Sequence, residues 1–157
     1  MIINESIVKS GISRMLKDKF PECEVYKEKI PEEFKKGSFT IQRILSTRSN
    51  GIQSDTKLYN QRYDYVISYF TPDNSNGELL EELDEVLDKL YILFNYIDVK
   101  DKEGNKGKIK VNAKSGEVID EILRFNITAT CRIVTKEERE KIRRMKIIKR
   151  IKEKGGI

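Results

Sequence analysis

The sequence predicts an α+β fold, with a mixed or antiparallel sheet of about six strands, two helices packed on it and a basic C-terminal helix. Three observations lead to this prediction. Apolar residues recur at steps of three and four in two segments, as on one face of a helix. Elsewhere apolar and polar residues alternate, as in half-buried strands. Positive charge is concentrated in the last 22 residues.

Length and charge divide the chain into a body and an arm. Its 157 residues suit one domain, and seven Tyr and six Phe argue against disorder although 36% of the residues are charged. Residues 136–157 carry ten Lys/Arg against four Asp/Glu, whereas the whole chain is only +5. We therefore predict a near-neutral α/β domain at 1–134 and a basic helical arm at 135–157.

The first element is a helix over residues 4–19. Asn4 can cap its start and Pro21 ends it. Gly11 lies inside this helix, which is tolerable if another backbone packs closely there. The apolar stripe of this helix contains Ile3, Ile7, Val8, Ile12, Met15, Leu16 and Phe20.

Strands are predicted next, at 23–29 and 38–47. The polar run 48–57 contains Asn50-Gly51 and indicates a loop or an extended hairpin tip. The stretch RYDYVISYF then alternates with period two and has apolar groups on both faces, which predicts a central strand. A second helix follows at 78–94, with acidic first turns and a stripe of Leu79, Leu80, Leu83, Val86, Leu87, Leu90, Tyr91 and Phe94.

The remaining body is predicted to be a meander, with turns at KEGNKG and KSGE. Thr135 and Glu138 form a capping-box pattern that opens the third helix. The predicted order is α-β-β-β-α-β-β-β-α, and its last four elements are strands at 96–101, 108–113 and 118–134 and a helix at 135–154.

Composition argues against catalysis. The chain has no histidine, which removes the commonest general base and most zinc sites. Carboxylates crowd the second helix, where a solvated face is the simpler interpretation than a Mg²⁺ site. The glycines assigned to hairpin turns, Gly104, Gly107 and Gly116, match no phosphate-binding motif. We predict no catalytic residue, metal or cofactor.

The N-terminus and the cysteines bear on the compartment. MIINESIVKSG has no apolar run of the length that a signal peptide or membrane span needs, which predicts a protein of the cytosol where it is made. Cys23 and Cys131 lie far apart, each in a strand-like stretch, and are predicted to be reduced core thiols.

Two segments leave alternatives open. The tyrosines of RYDYVISYF can pack in the core or at a subunit contact, or they can stack single-stranded bases beside Arg43 and Arg62. The C-terminal helix has a thin apolar seam of Ile142, Met145, Ile148 and Ile151 among many cations. It can be a solvated arm, a contact to an acidic protein or a phosphate-binding element. A membrane-surface role is weaker, because the seam lacks Trp, Phe and Leu.

Several segments together resemble the tail terminator proteins of phages and of phage-derived contractile particles (tailocins) in Gram-positive bacteria. These segments span most of residues 2–134, and they are INESIVKSGISRMLKDKF, YKEKIPEEFKKGSFTIQ, RYDYVISYFTP with the Leu-rich acidic helix behind it, and RFNITATCRIV. The resemblance implies a small structural subunit that forms a hexameric ring on the finished tail tube and halts its polymerisation. It also implies a surface for the neck or head and, in contractile tails, for the top of the sheath.

The same role predicts partners and places. The partners are further copies of this chain, the tail tube protein and sheath or neck proteins, with nucleic acid less favoured and no membrane. The chain would assemble in the bacterial host cytoplasm and end in the collar region, at the head-proximal end of the tail. The alternatives are a nucleic-acid-binding module that uses the basic helix, or a head-completion or tube protein of the same particle.

Two sets of exposed polar residues are candidates for these contacts. Exposed strand edges and long polar hairpins are natural contact elements, because unpaired backbone groups on an edge accept a strand of another chain. For subunit or tube contacts we predict Arg48, Asn50, Gln53, Asp55, Lys57, Lys102, Asn105 and Lys106. For the sheath or neck we predict Arg139, Arg143, Arg144, Lys146 and Arg150.

Overall fold

A computed structural model describes residues 3–27, 37–50, 58–71, 79–134, 144–145 and 147–148. The predicted α+β class and the element order are confirmed. Residues 144–145 and 147–148 are helical, and the rest of the predicted C-terminal helix lies outside the described residues. The elements are α1 (Glu5–Lys19), β1 (Glu24–Tyr26), β2 (Ser38–Asn50), β3 (Leu58–Phe70), α2 (Leu79–Leu93), β4 (Tyr96–Lys100), β5 (Lys106–Ile119) and β6 (Ile122–Val134).

The six strands form one mixed sheet in the order β1-β2-β3-β6-β5-β4. β1 is parallel to β2, whereas β5 is antiparallel to both β4 and β6. β3 lies inside the sheet between β2 and β6, so the prediction of a central strand is confirmed. The edges are the three-residue β1 and the five-residue β4.

The chain forms two compact units. One comprises Met1–Thr47 and Arg62–Cys131, and it contains both helices and the hydrophobic core. The other comprises Arg48–Gln61 and Arg132–Ile157. The predicted boundary between a body at 1–134 and an arm at 135–157 stays a prediction.

Helix α1 begins as predicted, because the Asn4 Oδ1 accepts a hydrogen bond of 2.9 Å from the Ile7 N–H. Its buried face contains Val8, Ile12 and Leu16. Gly11 faces the backbone of β4, where a Cβ would overlap the carbonyl oxygen of Asp98. The close backbone approach that this glycine predicted is therefore present.

The core confirms the packing interpretation of the Tyr-rich strand. Tyr63, Tyr65 and Tyr69 are each less than 5% exposed and therefore present no face on which a base could stack. The centre of the Phe39 ring in β2 lies 4.9 Å from the ring centres of both Phe20, which follows α1, and Tyr69 of β3. Helix α2 adds Leu83 and Leu90 to the same cluster, and Phe94 directly follows the helix. β6 adds Leu123, Phe125, Ile127 and Ala129.

The predicted turn at KSGE is wrong. β5 continues through these residues to Ile119, and the chain reverses at Asp120 and Glu121, which have φ angles of 50° and 64°. Positive φ is uncommon for non-glycine residues, and Asp is one of the types that adopt it more often. Two-residue hairpin turns of type I′ require it at both central positions. Gly107 and Gly116 are strand residues, and of the three glycines assigned to turns only Gly104, at φ 88°, lies in one.

Smaller differences concern element ends. β2 runs to Asn50 and β3 starts at Leu58, so the predicted loop begins later than residue 48, and residues 51–57 lie outside the described part. β1 comprises Glu24–Tyr26, which pair with β2, so Cys23 and Lys27 of the predicted strand at 23–29 are not in it. Residues 28–29 lie outside the described residues.

Candidate assembly surfaces

The structure describes some of the predicted contact residues. Lys102, Asn105 and Lys106 lie in or next to the turn between β4 and β5, and all three are exposed. Arg48 and Asn50 belong to the end of β2. Arg144 is helical and exposed. The remaining candidates lie outside the described residues, and these are Gln53, Asp55, Lys57, Arg139, Arg143, Lys146 and Arg150.

The turn between β4 and β5 is fixed by Asp101. Its Oδ1 accepts hydrogen bonds from the backbone N–H groups of Glu103 and Asn105, at 3.0 and 2.8 Å. Its Oδ2 accepts a third from the Asn105 side-chain amide, at 2.8 Å. The hydrogen bond from the Asn105 side chain is the main reason that the pKa of Asp101 lies below its ordinary value. The hydrogen bonds between Asp101 and Asn105 thus fix the conformation of the turn, and the exposed Lys102 and Lys106 lie in or beside it.

The β4 edge is covered by α1. The Asp98 N–H, which points away from β5, donates a hydrogen bond of 3.3 Å to the Met15 sulfur. The Asp98 carbonyl faces the helix at Gly11. An uncovered edge would offer these groups to a strand of another chain, and a covering helix prevents this. Strand addition is therefore blocked at the middle of β4.

A basic cleft lies where α1, β4 and β5 meet. Its volume is about 540 Å³, and we use the name basic cleft for the surface lined by Arg14, Asp98, Val99, Lys100, Lys106, Gly107 and Lys108. Four of these side chains are cationic and one is anionic. Lys108 lies 3.9 Å from the Asp98 carboxylate and 5.9 Å from the centre of the Tyr96 ring.

The outward face of α2 is acidic. We use the name acidic stripe for the exposed Glu81, Asp84, Glu85 and Asp88. Glu81 is three residues before Asp84 and four before Glu85, and Asp88 is four residues after Asp84 and three after Glu85. The four residues therefore share one side of the helix. Their neighbour Glu82 is turned inward instead, where it accepts a hydrogen bond of 2.7 Å from the Tyr69 hydroxyl. Burial, followed by this bond, raises the pKa of Tyr69.

Two polar side chains, the buried Asp64 and the half-buried Lys114, have structural partners. Asp64 of β3 accepts hydrogen bonds of 2.9 and 3.2 Å from Arg62 and another from the Thr128 hydroxyl of β6. The hydrogen bond between Thr128 and Asp64 links the neighbouring strands β6 and β3. Lys114 donates hydrogen bonds of 2.6 Å to the Tyr91 carbonyl and to Asn95, where α2 ends. A cation at this end also suits the helix dipole.

Metal-binding groups and thiols can be assessed in the part of the chain that the structure describes. Among those residues, no three acidic or cysteine side chains converge as a metal site would require. Cys23 and Cys131 are half-buried and form no disulfide, and burial raises the pKa of the Cys131 thiol. A raised pKa keeps a thiol protonated and poorly nucleophilic. Within the same residues, no helix is long and apolar enough to cross a membrane.

Sequence reasoning found part of these surfaces. It selected Lys102, Asn105 and Lys106 from the polarity of the hairpin, but it missed Arg14, Lys100 and Lys108 of the basic cleft. The signal for Lys100, Lys106 and Lys108 was available, because they alternate around a turn and so share a sheet face. Arg14 could not be assigned in this way, since only the packing of α1 on β4 brings it there.

The ordered, charged surfaces of this small α+β subunit suit defined contacts with other proteins. Comparison with protein families agrees. A family model described as phage tail terminator protein matches residues 7–142, which is more than half of the chain. The chain therefore belongs to the phage tail terminator family, whose members are structural components of the virion that interact with other tail proteins. No curated protein gave a significant match to the sequence.

Proposed function

We propose that copies of this chain form a ring, a hexamer, on the head-proximal end of the tail tube and stop its polymerisation. The observation that carries the proposal is the family match, which extends from α1 beyond the end of β6. The covered β4 edge and the turn that Asp101 fixes between β4 and β5 support a role in defined contacts. In this role the subunit is an assembly factor and not an enzyme.

The β4–β5 turn is proposed to contact the tube or a neighbouring subunit. Lys102 and Lys106 are exposed beside a turn that Asp101 holds with three hydrogen bonds. A contact element that is ordered before binding loses less conformational entropy when it binds. The segment from Arg48 to Lys57 is proposed for the same kind of contact through Arg48, Asn50, Gln53, Asp55 and Lys57.

The C-terminal arm is proposed to dock on the sheath or neck. Exposed apolar side chains at Met145, Ile147 and Ile148 lie beside the exposed Arg144. An apolar seam among cations suits an acidic protein surface with an apolar centre. With Arg139, Arg143, Lys146 and Arg150, these residues would join the terminator ring to a contractile sheath or a neck of a phage or tailocin.

Polymerisation of the purified tube protein tests the proposal. Adding the full-length chain should arrest growth, so that tube lengths measured by electron microscopy become shorter and more uniform, with a single ring at one end. Tubes of unchanged length and bare ends would contradict the proposal. Repeated stacking of this chain would instead identify a tube protein.

A further inference from the structure

The basic cleft contains cations without a matching number of anions. The register of β4 and β5 sets Lys100 directly opposite Lys106 and Asp98 opposite Lys108. Like charges directly opposite each other on a sheet destabilise it. Asp98 is the one anion in the lining, and it pairs at 3.9 Å with Lys108 while both side chains remain mostly exposed. Lys100, Lys106 and Arg14 thus leave positive charge that an anionic partner would neutralise.

The acidic stripe has the opposite imbalance. Its members stand three or four residues apart, where like charges destabilise a helix. Among the described residues, none of the ion pairs involves Glu81, Asp84, Glu85 or Asp88. Asp88 also lies in the second half of α2, where the helix dipole does not favour a carboxylate. The four carboxylates stay exposed on the outward side of the helix.

The two surfaces are opposite in charge and comparable in length. From Glu81 to Asp88 the stripe covers about 10 Å along the helix axis, at about 1.5 Å per residue. The paired positions of the cleft, from Lys100 and Lys106 to Asp98 and Lys108, are separated by two residues, or about 7 Å. A helix face can therefore place two of its carboxylates beside the cations of the cleft.

We infer that the basic cleft of one subunit receives the acidic stripe of the next copy of the chain. The inference rests on the proposed ring and names the surfaces that close it. When each copy gives its stripe to one neighbour and its cleft to the other, the contact is head-to-tail, and such contacts form a ring when the rotation between copies closes. Side chains carry it, because α1 blocks the Asp98 backbone against strand pairing.

Charge reversal in the full-length chain tests this contact. The cleft variant is Lys100→Glu with Lys106→Glu, and the stripe variant is Asp84→Lys with Asp88→Lys. Sedimentation velocity at low ionic strength measures self-association. Each variant alone should self-associate about 100-fold more weakly than the wild type, because like charges then face each other. An equimolar mixture should recover wild-type assembly, since each variant's altered patch then meets its complement.

A matched control separates this contact from net charge. The control variant, Lys9→Glu with Lys27→Glu, changes the net charge by the same amount as the cleft variant. Its two residues lie in a separate cleft lined by Asn4, Glu5, Ser6, Lys9, Ser10 and Lys27. It should associate like the wild type. Circular dichroism and thermal unfolding verify that all variants fold.

Three outcomes would overturn the inference: a wild type that stays monomeric at every concentration, reversal variants that associate normally, or a mixture that fails to recover. If tail assembly fails in the variants while self-association is normal, the cleft binds a different acidic protein and the inference is wrong. The proposed function is tested separately by tube length. A chain that caps tubes but associates through other surfaces would refute only the contact described here.

Discussion

Leu87 of α2 occupies the space that a side chain at position 116 of β5 would need, since a Cβ there would overlap the Leu87 Cδ1. The Leu87 methyl group can move aside, so Gly116→Ala should lower the free energy of unfolding by about 1 kcal/mol, the lower end of the range for overpacking. Urea denaturation measures the change. Ser115→Ala, at the exposed neighbouring position, serves as the control and should have little effect. Equal stability of the two variants would refute the packing role of Gly116.

Gly116 also illustrates where sequence reasoning failed. In KSGE, a glycine beside Lys, Ser and Glu has the composition of a turn. The same residue type is required where a helix side chain presses on a strand, and a one-dimensional pattern does not separate these two causes. The actual turn, Asp120-Glu121, contains no glycine and gave a weaker signal.

The elements that were predicted well have periodic burial. α1, α2 and β3 each bury one regular stripe, so the spacing of their apolar residues reports their type directly. Surfaces formed by several elements have no such period. The basic cleft takes Arg14 from α1, Lys100 from β4 and Lys106 and Lys108 from β5, and their proximity depends on tertiary packing.

The hydrogen bond between Tyr69 and Glu82 should make stability depend on alkaline pH. Because burial raises the pKa of Tyr69 above its ordinary value of 10, the folded state holds this proton more tightly than the unfolded state. The resulting stability is present below about pH 10 and is lost as pH rises toward the folded pKa. Tyr69→Phe should flatten this loss, as measured by urea denaturation between pH 8 and 11, values chosen to bracket the ordinary tyrosine pKa of about 10.

A control for that experiment is Tyr96→Phe, since Tyr96 is about half exposed, at 48%. The loss of stability above pH 10 should be smaller in Tyr69→Phe than in this control. At neutral pH, Tyr69→Phe should cost about 0.5–1.5 kcal/mol through the lost hydrogen bond. An alkaline profile identical to that of the wild type would show that Tyr69 titrates in the same way in both states.

Asp101 should titrate below its ordinary pKa of 3.8. Its carboxylate accepts three hydrogen bonds, and these favour the charged form. A lowered folded pKa gives stability that is present above the unfolded pKa and lost as pH falls through the folded value. An NMR titration of the carboxyl measures it directly.

Asp101→Ala should also increase amide exchange at Glu103 and Asn105, which lose their acceptor. Glu103→Ala, in the same turn, is the control. If exchange at Asn105 is the same in both variants, the turn does not depend on Asp101.

Deletion of residues 50–54 tests the proposed contact of the segment between β2 and β3. The deletion starts at the last residue of β2, and the core residues Phe39, Ile41 and Tyr65 lie outside it. We expect a folded subunit that no longer arrests tube growth, with folding verified by circular dichroism and arrest by electron microscopy. Replacing the same five residues by a Gly/Ser linker of equal length separates the effect of side chains from that of loop length. Normal tube lengths with both variants would remove this segment from the tube contact.

Truncation before Thr135 tests the proposed role of the C-terminal arm. Residues 136–157 carry ten Lys/Arg against four Asp/Glu, and the core residues all precede them. If the arm docks on an acidic sheath or neck, the truncated chain should still cap tubes but fail to join them to the sheath or neck in particles viewed by electron microscopy.

If the arm instead binds phosphates, the full-length chain should bind duplex DNA with an affinity that falls steeply with salt, and truncation should abolish this. A full-length variant with Arg143 and Arg144 changed to Gln keeps the arm while weakening either contact. Normal particles and no DNA binding after truncation would leave the solvated arm as the remaining interpretation, because neither partner would then need its charge.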